Sequence, residues 1–320
     1  MAKRYDAAAV GDEGVLAAAA ALRAGALIGL PTETVYGLAA DATRPESVAA
    51  IFAAKERPSF NPLIIHAADA ADAEALAELD DLGSRLGEVF WPGPLTLVAP
   101  LRRPSPIADL ATAGLATVAV RVPASSVARQ VLRAVSFPIA APSANPSGRV
   151  SATTAAHVLS DLGDRIELVL DAGPSAIGLE STIVAIGQRP TLLRPGAVSR
   201  EALEKVIGQP LALPERNVRP DAPGMLRSHY APTVSLRTDA TTVTTGESLL
   251  AFGPPLGNAD RAIAVVNLSA SGDLAEAATR LFSTLRELED IGAPIAAMRV
   301  PESGLGLAIN DRLRRAAGRR

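Results

Sequence analysis

Apolar residues recur along this chain with two periods. Residues 14–24 (GVLAAAAALRA) read as a helix closed by Gly25, and Ala26 to Leu30 follow as an apolar strand. A polar loop, Pro31-Thr32-Glu33-Thr34-Val35-Tyr36-Gly37, comes next. Thr43-x-x-Glu46 has capping-box spacing with Pro45 in the first turn, so a helix is predicted from there to about Lys55. It cannot pass Pro58, which also biases Arg57 towards extended backbone. Further strands are predicted at 63–66, 95–99, 116–122, 137–141, 166–170, 181–186 and 190–194, and helices at 69–88, 125–134, 151–162 and 199–207. Strands alternate with helices, but several late strands follow one another directly. That pattern predicts an α/β fold on a mixed sheet.

The texture changes near residue 208. Residues 208–233 hold prolines at 210, 214, 220, 223 and 232 with no clear period, which reads as a linker. A smaller unit follows, with strands near 233–237, 262–268 and 294–300, an apolar segment at 248–252 and helices at 273–290 and 305–317. Leu274, Ala277, Ala278, Leu281, Leu285 and Leu288 form one apolar stripe on the longer helix. The chain therefore divides into residues 1–207, a linker at 208–233 and a small α/β domain at 234–320.

Composition narrows the chemistry. Hydrophobic residues reach 48% with only 3% aromatic, so the core must be built from Ala, Val, Leu and Ile. With no cysteine, disulfide scaffolds, thiolate catalysis and cysteine-bound zinc are excluded. His66, His157 and His229 lie far apart in sequence, which argues against a histidine-rich metal site. A net charge of −3 argues against polyanion binding by bulk charge. The opening Met-Ala-Lys-Arg-Tyr-Asp lacks the apolar core of a signal peptide, and no uncharged run approaches the ~20 residues of a membrane span. The expectation is a soluble, cytoplasmic protein.

P-loop, dinucleotide-fingerprint, H-E-x-x-H and G-x-S-x-G motifs are all absent. What remains are polar clusters at strand ends, where α/β sheets usually place ligands. Lys55 and Arg57 either complement a helix dipole or bind an anion. Ser143 and Asn145, in Ala141-Pro142-Ser143-Ala144-Asn145-Pro146-Ser147-Gly148, form either a plain turn or a rigid polar wall. Arg121, inside the apolar run Thr117 to Pro123, needs a core carboxylate or a substrate carboxylate, and Arg194 poses the same question. Thr32, Glu33, Thr34 and Tyr36 fit loop and cap roles, Ser181 and Thr182 fit a strand edge, and His66 alone fits a structural histidine.

Taken together, PTETVYGLAADA at 31–42, KERPSFNPLIIH at 55–66, WPGPLTLV at 91–98, TVAVRVP at 117–123, APSANPSG at 141–148, ESTIV at 180–184 and RPG at 194–196 resemble the YrdC-type threonylcarbamoyl-AMP synthases. The phrase APGMLRSHYAP at 222–232 extends the resemblance to the long form with a C-terminal accessory domain. It covers nearly all of 14–233, and 234–320 only loosely.

The resemblance implies a twisted mixed sheet with flanking helices around a concave groove, plus a small Rossmann-like C-terminal domain. It implies that L-threonine, bicarbonate and ATP, with magnesium, become threonylcarbamoyl-AMP and pyrophosphate. The product would pass to the tRNA threonylcarbamoyl transferase machinery. Lys55, Arg57, Ser143 and Asn145 match the family's Lys-x-Arg and Ser-x-Asn tetrad on the ATP phosphates. Asn61, Thr117, Ser151 and Arg194 match further nucleotide positions, and Thr34, His66, Arg121 and Ser181 match the threonine site. Ala141 stands where the family has a threonine, which puts one hydroxyl contact in doubt. Met225 and Tyr230 are the linker residues expected to reach over the groove as a lid, a passive tether being the alternative. Arg312, Arg314, Arg315, Arg319 and Arg320 read as a solvated helix end, with weak RNA contact as the alternative. Two rival functions are an RNA-binding or ribosome-associated factor and a carbamoyl-transfer module of hydrogenase maturation. Scarce aromatics and an acidic pI oppose the first, and the absence of cysteine opposes the second.

Overall fold

The computed structural model describes residues 2–6, 12–214 and 229–318. In chain order the first part contains β1 (Lys3–Asp6), α1 (Asp12–Arg23), β2 (Ile28–Leu30), β3 (Gly37–Asp41), α2 (Pro45–Lys55) and β4 (Ile64–His66). It continues with α3 (Ala70–Leu76), α4 (Asp81–Phe90), β5 (Leu95–Pro100), β6 (Thr117–Arg121), α5 (Ser126–Val135) and β7 (Ile139–Ala140). It ends with α6 (Ala155–Leu162), β8 (Leu168–Asp171), β9 (Thr182–Ala185), β10 (Thr191–Arg194) and α7 (Arg200–Ile207). After the linker come β11 (Leu236–Arg237), β12 (Ser248–Ala251), β13 (Val265–Asn267), α8 (Leu274–Ile291), β14 (Ile295–Ala297) and α9 (Gly306–Ala317).

Ten strands make one mixed sheet in the order β1-β8-β2-β3-β7-β4-β6-β5-β9-β10, and β11-β14-β12-β13 form a second, parallel sheet. Alternation of side chains divides the large sheet into two faces. Leu38, Ala40, Ile65, Val120 and Val169 point towards α2 and α6, where Val48, Ile51, Phe52 and Val158 meet them. Ile28, Leu30, Ala39, Ile139 and Leu168 point the other way, under Ala18 and Leu22 of α1 and Val131 and Leu132 of α5. Further along that second face lies a separate apolar patch of Ile64, Val98, Ala119, Ile183 and Leu193, to which no described helix contributes. The cavity described below opens beside this patch.

Several boundaries depart from the sequence reading, each for a local reason. The helix expected at 69–88 is two helices, because Asp69 caps α3 by accepting from Asp72 N and Asp80 caps α4 by accepting from Gly83 N. Between them Glu78 N donates to Pro100 O, pulling the chain onto β5. The capping box at 43–46 does not form. Arg44 occupies the cap position without a side-chain capping bond, and the Thr43 hydroxyl donates to Asp41 Oδ1 instead. Helix α6 starts at Ala155 rather than 151, capped by Thr154, which leaves Ser151 to Thr153 in the preceding loop. β1 and β3 were not anticipated at all.

The C-terminal unit packs directly against the large one. Val35, Val150 and Leu179 share an apolar cluster with Tyr230, Leu281 and Phe282. Arg286 of α8 grips Asp161 with two bonds (3.1 and 2.5 Å) and donates to Val150 O at 2.6 Å, while Arg149 pairs with Glu289 at 2.5 Å. At Gly178 (φ +74°) an added Cβ would lie 2.5 Å from Thr279 O, so only glycine allows α8 to approach this closely.

Candidate active site

The register of β4 organises the cavity. Its parallel pairing with β6 puts Ile64 beside Ala119 and His66 beside Arg121, and its antiparallel pairing with β7 puts His66 opposite Ile139. The loop after β7 therefore returns to the amino end of β4, where Ala141 N donates to Ile64 O. One end of the cavity thus carries His66 and Arg121, and the other carries Arg57 and Ser143. Thr34, Ala141, Ser181, Arg194 and Tyr230 line the same space, together with Thr32, Glu180 and His229. Its volume is about 50 Å³.

At the cationic end, helix α2 stops at Glu56 in left-handed geometry (φ 53°), so Lys55 and Arg57 leave in different directions. Lys55 is buried, and its Nζ donates to the carbonyls of Ser143 and Asn145, while Ser147 N donates to Lys55 O at 2.8 Å. The two sequence clusters are thus directly stitched together. The Lys55 ammonium serves the opposite loop and not the carbonyls of its own helix. Burial, and then the neighbouring Arg57, press its pKa well below the ordinary lysine range. Arg57 donates from Nε to Asn61 O (3.2 Å) and from Nη2 to Pro62 O (2.9 Å), and burial lowers its pKa to about 10. Asn145 donates from Nδ2 to Pro146 O and Arg149 O, at 2.9 and 3.0 Å.

Lys55, Asn61, Thr117, Asn145 and Ser151 are not among the residues that line the cavity. Asn61 adjoins Arg57. Thr117, two residues before Ala119 on the same face of β6, lies level with the amino end of β4. Ser151 donates to Glu180 Oε1 at 2.6 Å. Arg194 donates from Nε and Nη2 to Ser181 O (3.1 and 2.9 Å) and also reaches Ser181 Oγ, which lies 2.7 Å from Thr96 Oγ1.

At the other end Arg121 meets the carboxylate of Glu33 at 2.5 Å, donates to Thr34 Oγ1 at 2.9 Å and donates from Nε to Gly93 O at 3.2 Å. Of the two partners open to Arg121, the one present in the fold is therefore Glu33. Burial raises the Glu33 pKa, but the Arg121 charge together with hydrogen bonds from the Ala124 backbone and from Arg121 outweighs it and holds the group below the ordinary value. His66 is driven down to about pKa 3 by burial and then by Arg121, so it is neutral at physiological pH.

Two site residues escaped the sequence reading. His229 and His66 line one cavity despite the 163 positions between them, and His229 stands among Lys55, Arg57, Arg194 and Arg312, held neutral by burial and by those charges. Only its place in the phrase at 222–232 signalled this. Arg312 is the larger correction. It is fully buried against Glu180 and Tyr230, not a solvated helix end. Tyr230 is buried in the cavity wall, and Met225, Arg319 and Arg320 lie outside the described residues.

Nine buried side-chain N or O atoms have no partner among the described residues, and six of them belong to Asn61, His66, Asn145, His229 and Arg312, in or behind this cavity. Buried polar groups are normally bonded, so this clustering marks a place built for a polar ligand.

A family model described as telomere recombination matches residues 20–196, and one described as threonylcarbamoyl-AMP synthase, C-terminal domain, matches residues 198–318. The chain is 38% identical to a threonylcarbamoyl-AMP synthase of Bacillus subtilis (strain 168), covering 97% of this chain and 94% of the relative. It is 41% identical to one of Pyrococcus abyssi, covering 95% and 94%. A crystal structure of P. abyssi Sua5 complexed with L-threonine superposes with a TM-score of 0.90 at 37% identity, over 99% of this chain and 98% of the other.

Proposed function

The chain belongs to the threonylcarbamoyl-AMP synthase family, and from that membership we propose how its cavity divides the reaction. The enzyme joins L-threonine, bicarbonate and ATP into threonylcarbamoyl-AMP and pyrophosphate, the product serving threonylcarbamoylation of tRNA beside the anticodon. ATP phosphates lie at the end formed by Lys55, Arg57, Ser143 and Asn145, with Asn61, Thr117, Ser151 and Arg194 holding the rest of the nucleotide. Threonine lies at the end formed by Thr34, His66, Arg121, Ala141 and Ser181. The observation that carries this division is the length of β4, which separates the Arg57 cation from the His66–Arg121 pair.

Threonine's amine attacks the bicarbonate carbon and water leaves, giving a carbamate whose oxygen attacks the α-phosphate as pyrophosphate departs. Charge grows on the phosphorus oxygens and on the leaving group. Fixed cations and amides placed there stabilise it without rearranging. Arg121, held by Glu33 and Thr34, presents its guanidinium to the threonine carboxylate. Neutral His66 is a hydrogen-bonding group for threonine and not a cation.

Among the described residues no group of three or more His, Cys, Asp or Glu is placed to hold a metal. Glu33 and Glu180 are already engaged by Arg121, and by Ser151 and Arg312. Magnesium is therefore read as an ion carried on the ATP phosphates, and no step runs through a protein-held metal.

We divide the chain into a catalytic domain at 1–207, a linker at 208–233 and an accessory domain at 234–320. The linker is read as a lid, because a cavity of about 50 Å³ walled by His229 and Tyr230 has room for one or two waters and not for a nucleotide. A lid that excludes water suits a carbamate and an adenylate that solvent destroys. Among the described residues no helix is long and apolar enough to cross a membrane. We place the reaction in the cytoplasm, with its ATP and tRNA.

The test is pyrophosphate release from ATP with threonine and bicarbonate omitted in turn. Release must require both, and turnover indifferent to threonine would sink this reading.

A further inference from the structure

We propose that Arg312, on the last helix of the C-terminal unit, is a positioning residue for the nucleotide side of the cavity, acting through Glu180 and Tyr230. The proposal rests on the division of the cavity given above. Arg312 is fully buried, yet it belongs to the unit whose own sheet has no part in the site. One edge of its guanidinium donates from Nε to Glu180 Oε2 at 2.8 Å. The other carboxylate oxygen of Glu180 accepts from Ser151 Oγ at 2.6 Å, so Glu180 bridges Arg312 to a nucleotide-side hydroxyl. The guanidinium carbon stands 4.9 Å from the centre of the Tyr230 ring, which stacks on Phe282 at 5.7 Å on the C-terminal side. A further edge donates from Nη1 to Asp311 at 2.7 Å, and Asp311 is itself held by Arg315 at 3.0 Å through both oxygens. The carbonyl of Arg315 accepts from His229 N at 3.3 Å.

One planar side chain thus fixes the loop before β9 with its edge and the linker with its face. Only a rigid fork with an aromatic-stacking surface does both, and a lysine would supply charge without either. Arg312 Nη2 remains buried with no partner among the described residues. The accessory unit would then influence turnover by setting Ser151 and Tyr230, while Thr34, His66, Arg121 and Ala141 at threonine's end lie outside these contacts.

The test uses the full chain, with ATP and threonine varied separately at saturating bicarbonate. Arg312→Gln is expected to raise KM for ATP at least five-fold while KM for threonine stays within two-fold. Arg312→Lys is expected to recover only a minor part of that loss. A charge-balanced Glu180→Gln/Arg312→Gln chain guards against misfolding, and its KM for ATP should rise in the same selective way. A smaller rise, or an equal rise for both substrates tracking a lowered melting temperature, overturns the proposal. Arg57→Ala is measured alongside. If it too leaves KM and kcat unchanged, the placement of the nucleotide has failed. If it loses activity while the Arg312 chains keep their KM for ATP, only the role of Arg312 has failed.

Discussion

The two sheets of this chain differ in how fully their polar side chains are paired. Among the described residues of the small unit only Ser248 Oγ and Arg312 Nη2 are buried without a partner, and half-buried groups pair at home. Asn258 exchanges bonds with Val243 at 3.2 and 3.0 Å, Asn310 donates to Val300 O at 2.7 Å, and Glu247 takes two bonds from Arg237. On the large sheet Asn61, His66 and Asn145 keep buried atoms unpaired beside three cations. Each such atom costs about 1–3 kcal/mol. Similar architecture therefore carries a stabilising polar network in one place and a polar deficit in the other. Where stability is forgone, the residues are held for something other than the fold.

Substitutions can break or sharpen this contrast. The largest effect is expected at Arg57→Ala or Asn145→Ala, which should lower kcat/KM by about 10²–10³-fold while far-UV circular dichroism stays native. Normal turnover by a folded Arg57→Ala chain would make the deficit structural. Next comes the joint between the two units. Arg286→Ala strands Asp161 and opens the carbonyls of Val150 and Ser151, for a loss of about 2–4 kcal/mol in urea unfolding. An unchanged urea midpoint would mean that apolar packing alone docks the units.

Acid should expose the deficit directly. His66 takes its proton near pH 3 in the folded chain but near 6.5 when unfolded, so between those values the unfolded chain binds more protons. Stability therefore rises with pH across that window and is lost on acidification, by about 2 kcal/mol at pH 5 from His66 alone. His157, lowered to about 4 chiefly by burial, acts in the same sense. A midpoint equal at pH 7.5 and pH 5 would contradict this. Smallest of all, Arg280→Ala removes an exposed pair with Glu276 and should shift stability by less than ~0.5 kcal/mol. A larger loss would mean that the small unit depends on its surface charge.

Much of this was legible in residues. Lys55 and Arg57 before Pro58, and Ser143 and Asn145 between Pro142 and Pro146, stand out as polar clusters at strand ends, but each keeps a plain structural reading until the family resemblance joins them. Most strand positions follow from apolar runs, whereas their pairing registers do not. What stayed hidden was set by contacts distant in sequence. Glu33 is an ordinary loop glutamate until β6 brings Arg121 to it, 88 residues away. Arg312 sits in a basic tail that reads as solvated, and only the packing of α9 under Tyr230 buries it. The helix break at 77–80 carries a local signal in the Asp80 cap, and the distant bond from Glu78 N to Pro100 O then draws the chain onto β5.

The burial of His229 and Tyr230 in the cavity wall also bears on how ATP affinity should be read. Both side chains belong to the chain they occlude, so on the placement of ATP proposed above the enzyme would carry its own competitor. A tethered competitor acts at an effective concentration on the order of millimolar whatever the protein concentration. The measured dissociation constant for ATP is then the intrinsic one divided by the fraction of time the segment is withdrawn. Tight intrinsic binding would appear as modest apparent affinity. Loosening the segment where the Arg312–Glu180–Ser151 link stays intact would then strengthen nucleotide binding without altering any residue that touches phosphate.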